Sequence, residues 1–236
     1  TEAMCKQLCA IELVVRNTKI TERDSKAIFK RLRQRADGVW HLVRGVHMSF
    51  GDFGREGLAE LQEYLISRAC TLQTLNLSLT QVDAWPVVQV LRANASLTSL
   101  DVRRVPRMRD FYKPFADLLR EPDTQCCLAY LRCDAFEVVE EDVALNLRER
   151  LLSEEEQPGA VLLLAQLLRH NTSLRELDLT ATDIDKDGAA ALAAVLESNA
   201  SLTSLRLAHN PALDDEVKGA LRAAANKRSP PVQLEL

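Results

Sequence analysis

The chain has 236 residues, of which 47% are hydrophobic and 27% charged, with a net charge of −4; it can bury a substantial core, which excludes a disordered polymer. The charge is uneven: residues 1–120 carry 19 Lys/Arg against 13 Asp/Glu, and the remainder 11 against 21, so the chain could orient a charged partner on approach. No apolar run nears the roughly 20 residues of a membrane span, the opening "TEAMCKQLCA" lacks the regions of a signal peptide, and the basic excess has no aromatic interleaving, so no nucleic-acid partner is expected.

The first copy of a recurring apolar frame is faint, with Leu8, Ile11 and Leu13 spaced L-x-x-L-x-L. The basic stretch "KAIFKRLRQR" at 26–35 reads as a helix. Val43, Val46 and Met48 repeat the frame, and "TLQTLNLSLTQV" from 71 and "SLTSLDVRRV" from 96 carry it clearly. The step from Leu72 to Leu97 is only 25 residues, and Pro86 falls where a helix begins, a tolerable first-turn position.

A weaker copy follows at Leu128, Leu131 and Cys133, and then 46 residues pass before Leu174. The excess is expected as an insertion around 150–162, where Ser153 caps a turn and Pro158 and Gly159 make a break. Leu174, Leu177 and Leu179 precede Leu202, Leu205 and Leu207 by 28 residues, and "PVQLEL" brings Leu234 and Leu236 into phase as a last strand.

Alternation at Leu177–Asp178–Leu179 is that of a strand with leucine inward. Ala190, Leu192, Ala193 and Leu196 follow a helical stripe. The run "ATDIDKDGAAALA" at 181–193 carries Asp183, Asp185, Asp187 and Gly188 at the spacing of a calcium loop, but position twelve is Ala194 where a bidentate glutamate is required. Laid without gaps over "MSFGDFGREGLAELQEYL" (48–65), residues 179–196 keep the apolar frame and match Gly188 to Gly57, while the aspartates change. These aspartates therefore read as turn and helix-start residues, and no metal site is assigned.

This pattern resembles the leucine-rich repeat, in its long ribonuclease-inhibitor-like form of about 28 to 29 residues. The resemblance implies an α/β solenoid: a horseshoe arc with a parallel sheet on the concave face, helices on the convex face, about seven repeats and a terminal strand. No unit can bury both its faces alone, so units must stack. A single domain over 1–236 is expected, with a degenerate cap at 1–42, repeats at 43–127, the repeat with its insertion at 128–173, and regular repeats at 174–236. Repeat position nine is Asn only at Asn210; Thr80 and Thr182 hold it elsewhere, and Gly51, Val105 and Phe136 depart.

In such a sheet the outward residues of L-x-x-L-x-L meet a partner. They include Phe50, Asn76, Asp101, Arg103, Arg104, Tyr130, Arg132, Glu176, Asp178, Arg206 and His209. Arg103, Arg104 and Arg132 are expected to cluster on adjacent strands, and "VRRVPRMRD" packs four arginines into seven residues, inviting an acidic patch on a protein partner. The competing expectation is a solvated face whose charges pair across strands.

Catalysis has little support. His41, His47, His170 and His209 sit in unrelated parts of the repeat, and no nucleophile motif is present. In "GDFGREG" at 51–57, Asp52 and Glu56 would repel phosphate, so no cofactor is expected. Cysteines at 5, 9, 70, 126, 127 and 133 fit neither a disulfide scaffold nor zinc spacing, and read as buried reduced thiols of an intracellular, most simply cytoplasmic, chain.

The favoured reading is a non-enzymatic protein-binding scaffold, an accessory subunit of a multi-subunit complex among its forms. The alternatives are a GTPase-activating protein, since the Ran activators are similar in repeat class, and a sensing or cytoskeletal-capping fragment like the repeat regions of innate-immune receptors or tropomodulins.

Overall fold

The computed structural model describes residues 11–15, 19–34, 42–153, 155–157 and 159–236. The chain divides into two compact units. The first comprises residues 1–108, 122–128 and 132–134, the second residues 109–121, 129–131 and 135–236.

In the first unit, strands β1 (Ile11–Val15), β2 (Val43–Met48), β3 (Thr74–Asn76) and β4 (Ser99–Asp101) pair in parallel in chain order. They alternate with helices α1 (Glu22–Gln34), α2 (Gly54–Ile66) and α3 (Ala84–Leu91). Val46, Leu75 and Leu100 stand in register across β2, β3 and β4 and are at most 1% exposed. The repeat frame is thus the core frame, because period-two alternation sends each strand's leucine to one face.

The faint first copy is corrected by two residues. Leu13 pairs with Val46 and Val15 with Met48, after an irregularity between Ile11 and Glu12; Leu8 lies outside the described residues, as do His41, Cys5 and Cys9. The two-residue shift keeps the same side chains inward, which is why the sequence pattern tolerated either register. The short step between Leu72 and Leu97 is explained by α3, which has only 8 residues.

In the second unit, α4 (Tyr112–Arg120), α5 (Ala160–Leu168), α6 (Lys186–Ser198) and α7 (Asp215–Asn226) alternate with a parallel sheet in the order β10-β9-β8-β7. Its strands are β7 (Ala144–Asn146), β8 (Glu176–Asp178), β9 (Ser204–Arg206) and β10 (Gln233–Glu235). Leu145, Leu177, Leu205 and Leu234 share one register, which places the terminal strand where the sequence phase put it.

The long step before Leu174 is not one loop at 150–162. Leu145 follows Leu131 by 14 residues, with β6 (Glu137–Val138) and no helix between, so β7 is an additional strand without a crossover helix before it. The later segment contributes only a short capped turn: Ser153 accepts the Glu156 amide at 3.3 Å, and Gly159 begins α5 in the left-handed region, φ 77°. A Cβ there would stand 2.5 Å from the Lys113 backbone.

Helix starts follow the aspartates. Asp83, Asp185 and Asp214 cap α3, α6 and α7, accepting amides of Trp85, Gly188 and Val217 at 3.2, 2.7 and 3.0 Å. Asp185, second of the three aspartates with calcium-loop spacing, is therefore a helix cap. The buried stripe of α6 is Gly188, Ala189, Leu192, Val195 and Leu196; Leu192 and Leu196 keep their expected place, while Ala190 is exposed and Ala193 half-buried.

Two polar devices close each turn of chain. Asn94, Asn171 and Asn199, each at most 4% exposed, accept the amides of Leu97, Leu174 and Leu202 at 2.7, 2.9 and 2.7 Å. Their side-chain amides donate to the carbonyls of Leu65, Ala129 and Leu168 at 2.7, 3.3 and 2.5 Å, satisfying backbone groups at the corner that would otherwise be buried unpaired. Beyond β2, β3, β4, β7, β8 and β9 a non-glycine residue turns left-handed: Phe50, Leu79 and Arg104 in the first unit, Glu149, Ala181 and His209 in the second, φ 55–63°. At repeat position nine, Thr80 and Thr182 donate to Leu77 and Leu179 carbonyls at 2.6 and 2.8 Å, the role Asn210 fills with Leu207 at 2.8 Å. Where Gly51 departs, the backbone still links the turns, its carbonyl accepting Gln81 N–H at 2.8 Å.

Candidate protein-binding faces

On the first unit's sheet, the outward residues build from β1 to β4. His47 Nε2 lies 2.8 Å from Glu12 Oε2. Next in register with His47 is Asn76, whose Oδ1 accepts the Ser78 amide at 2.9 Å, and Asn76 is in turn the partner of Asp101.

Asp101 is the centre of this face. It is 5% exposed, and its Oδ1 accepts the Arg103 backbone amide at 3.2 Å and Arg103 Nε at 3.0 Å, while Oδ2 accepts Arg103 Nη2 at 2.7 Å. Arg132 Nη1 stands 3.8 Å from the same Oδ2. A two-pronged guanidinium contact fixes orientation as well as charge. The mutual repulsion anticipated among the arginines is thus answered partly from within, by Asp101.

Arg104 is placed differently. Its amide donates to Asp134 Oδ1 at 2.9 Å, and its left-handed φ of 55° is set by the turn, so it shares the strand end without joining the Asp101 cluster through any bond above. Phe50 sits at the equivalent turn after β2 and is 60% exposed. Tyr130, anticipated as an aromatic anchor, is 9% exposed; its ring is core, because β5 (Tyr130–Arg132) buries its first two residues.

On the second unit's sheet, Asn146, Asp178, Arg206 and Glu235 form one register row. Arg206 lies between two carboxylates, Nη1 3.7 Å from Asp178 Oδ2 and Nε 3.5 Å from Glu235 Oε2. Burial pushes the Asp178 carboxyl up, but hydrogen bonds from Thr180 and the charges of Arg206 and Arg148 outweigh it and hold it below the ordinary aspartate value. Glu176 is exposed beside this row, and His209 is exposed at the left-handed turn after β9.

The structure therefore gathers Asn76, Asp101, Arg103 and Arg132 on one face and Asp178 with Arg206 on the other. The sequence reading missed Glu12 and Glu235 as charge partners, and the asparagine corners altogether. The repeated tetrapeptides "NASL", "NTSL" and "NASL" at 94, 171 and 199 were the available signal. Among the described residues, no group of three His, Cys, Asp or Glu is placed to hold a metal ion, and no helix is long and apolar enough to cross a membrane. Cys70, Cys126, Cys127 and Cys133 form no disulfide among the described residues; Cys126 and Cys133 are buried as expected of thiols, but Cys70 and Cys127 are only half-buried, and burial pushes the Cys126 thiol up to about 11.

A family model described as "Leucine Rich repeat" matches residues 170–193 and 198–216. The mouse ribonuclease inhibitor is 28% identical over 209 residues, covering 82% of this chain and 44% of that protein, so the chain spans less than half the length of this relative. Among solved structures, the Caenorhabditis elegans tropomodulin C-terminal domain is similar at 14% identity and a TM-score of 0.32, over 86% of this chain and 92% of that one. The leucine-rich repeat-containing protein LegL7 of Legionella pneumophila is similar at 20% identity and a TM-score of 0.31, over 85% of this chain and 57% of that one. The strands repeat the L-x-x-L-x-L frame in register with helices between them, and with the family match over residues 170–193 and 198–216 the chain carries leucine-rich repeats and shows a distant similarity to ribonuclease inhibitor.

Proposed function

We propose that this chain is a non-enzymatic protein-binding scaffold of the accessory-subunit kind, and that its contact is the polar sheet face of the first unit. The observation that carries this reading is the Asp101 cluster: Arg103 is hydrogen-bonded to a carboxylate that is 5% exposed and Arg132 stands 3.8 Å from it, while about a third of each arginine side chain stays open to solvent, 31% and 38%. A preformed guanidinium platform loses little side-chain entropy on docking. Its part-exposed guanidinium groups suit an acidic protein surface, and exposed Phe50 supplies apolar area at the same sheet's turn. Leucine-rich repeats are commonly protein-binding modules, which supports the class of partner. Four cysteines without a disulfide among the described residues support a reducing, intracellular setting.

The test is affinity capture from native source with the wild-type chain and with Arg103→Glu/Arg132→Glu. A stoichiometric partner retained by the first and lost by the second, with urea midpoints close together, supports the proposal. Capture unchanged by the double substitution overturns the face. Acceleration of GTP hydrolysis by a small GTPase, or inhibition of a ribonuclease as the relative's name suggests, would replace the scaffold role with a defined activity.

A further inference from the structure

The second unit carries a concavity of ≈ 380 Å³ on its helix-to-strand corners, lined by Arg169, Asn171, Thr172, Arg175, Ser198 and Ser201 among others, with no carboxylate in the lining. Arg169 Nη1 donates to Gln166 Oε1 at 3.3 Å and Arg175 Nη1 to the Ser201 carbonyl at 3.0 Å. Both are exposed, and neither forms an ion pair among the described residues. Arg228 bonds the same loop, donating from Nη2 to the Ala200 carbonyl at 2.9 Å and from Nη1 to that of Leu202. Glu197, the carboxylate that α6 brings to this end, is already held by Lys227 Nζ at 2.5 Å.

The simplest account of these arginines is that they answer the helix ends. Arg169 and Asn199 are the C-terminal caps of α5 and α6, and each helix C-terminus contributes about half a negative charge. Two such ends offset about one of the two guanidinium groups in the lining, so an excess of about one positive charge remains, before Arg228 is added. Each guanidinium has five N–H donors, and the bonds of Arg169 and Arg175 given above use one apiece. Thr172, exposed in the lining, adds a hydroxyl. The Asn171 and Asn199 side-chain amides are spent on backbone carbonyls and contribute to shape, not to recognition.

We propose that this concavity binds a phosphate group, held between the Arg169 and Arg175 guanidinium groups. The forked donors match two oxygens of a tetrahedral oxyanion, and a dianion supplies the counter-charge that the lining lacks. The inference is independent of the sheet-face reading, because no residue of the Asp101 cluster takes part.

The experiment is a titration of inorganic phosphate into the full chain at constant ionic strength, following the arginine Nε–H resonances by NMR. Saturable shifts at Arg169 and Arg175, absent with chloride, are expected. Arg175→Lys, which keeps the charge but loses the fork, should weaken binding roughly tenfold, and Arg169→Gln/Arg175→Gln should abolish it. Arg169→Glu/Arg175→Glu gives the same loss, and the glutamine pair serves if charge reversal unfolds the chain. Shifts that grow without saturating, or that chloride reproduces, overturn the site. A phosphoserine peptide and its unphosphorylated form distinguish the sources. Tighter binding of the phosphopeptide than of inorganic phosphate assigns the group to a modified protein partner, and equal binding assigns it to the free anion.

Discussion

The two units share their corners and differ on their sheets. Asn94 in the first and Asn199 in the second make the same bonds to a leucine amide two strand positions ahead of the sheet and to a leucine carbonyl one repeat back. Asp101 and Asp178 also hold one repeat position, each accepting the amide two residues on, at 3.2 and 2.9 Å. Yet Asp101 is gripped by Arg103 and approached by Arg132, while Asp178 has Arg206 at 3.7 Å and Glu235 beyond it. Corners serve the backbone, whose needs recur every repeat. On the sheet face each aspartate also serves one backbone amide, but the charges gathered around it differ between the units.

The largest effect is expected where the units agree. Asn199→Ala removes a 4%-exposed amide that bonds at both ends and should cost about 3 kcal/mol, with Asn94→Ala close to it, because two or more buried backbone groups lose partners at once. Urea denaturation of both variants checks this, and a marked inequality between them would break the equivalence of the corners.

The next effects separate the sheets. Asp101→Ala takes the acceptor from three hydrogen bonds of Arg103 and should cost about 2 kcal/mol, against about 1 kcal/mol for Asp178→Ala. Equal losses in the same denaturation series would mean that the Arg103 grip adds nothing to stability. Arg206→Ala, at 45% side-chain exposure, should cost less than about 1 kcal/mol, and less again in high salt.

A pH series sharpens the comparison further. The Asp178 carboxyl is held below its ordinary value in the folded chain, so the unfolded chain binds the proton more readily. Its stabilising contribution is present above the unfolded aspartate value of about 3.9 and is lost as pH falls through the lower folded value. The difference in stability between wild type and Asp178→Asn should therefore shrink on acidification through that window. A difference that stays constant below about pH 4 would show that the carboxylate is not stabilised by its neighbours.

Much of the fold was written in the leucines. The L-x-x-L-x-L frame at Leu72, Leu97, Leu174 and Leu202 located strands because period-two alternation must face one core, and Asp185 was legible as a helix start by a local bond needing only a few residues, whereas Asp83 and Asp214 were identified as caps only in the structure. The frame was weakest where it was short. One three-residue strand, β7, was hidden in the long step before Leu174 because no helical stripe precedes it, and β1 carried alternation that fits either of two registers. The candidate site was less legible than the fold. Position in the repeat named Arg103, Arg132 and Asp101, but not that the first two share the carboxylate of the third, and it offered Tyr130 as surface.

The sequence by itself determined the repeat, the direction of its strands' apolar faces and the aspartate run that begins the helix at 186, since each depends on spacing along the chain within one turn or one strand. Tertiary structure alone decided which charges meet, because Asp101 with Arg132, Arg206 with Glu235, and Arg175 with the Ser201 carbonyl are brought within reach by strand and corner register between repeats, about 30 residues apart in sequence. Burial likewise depends on neighbours stacked from other repeats, which is why the ring of Tyr130 became core while Phe50, left-handed at the end of its strand, remained open to solvent.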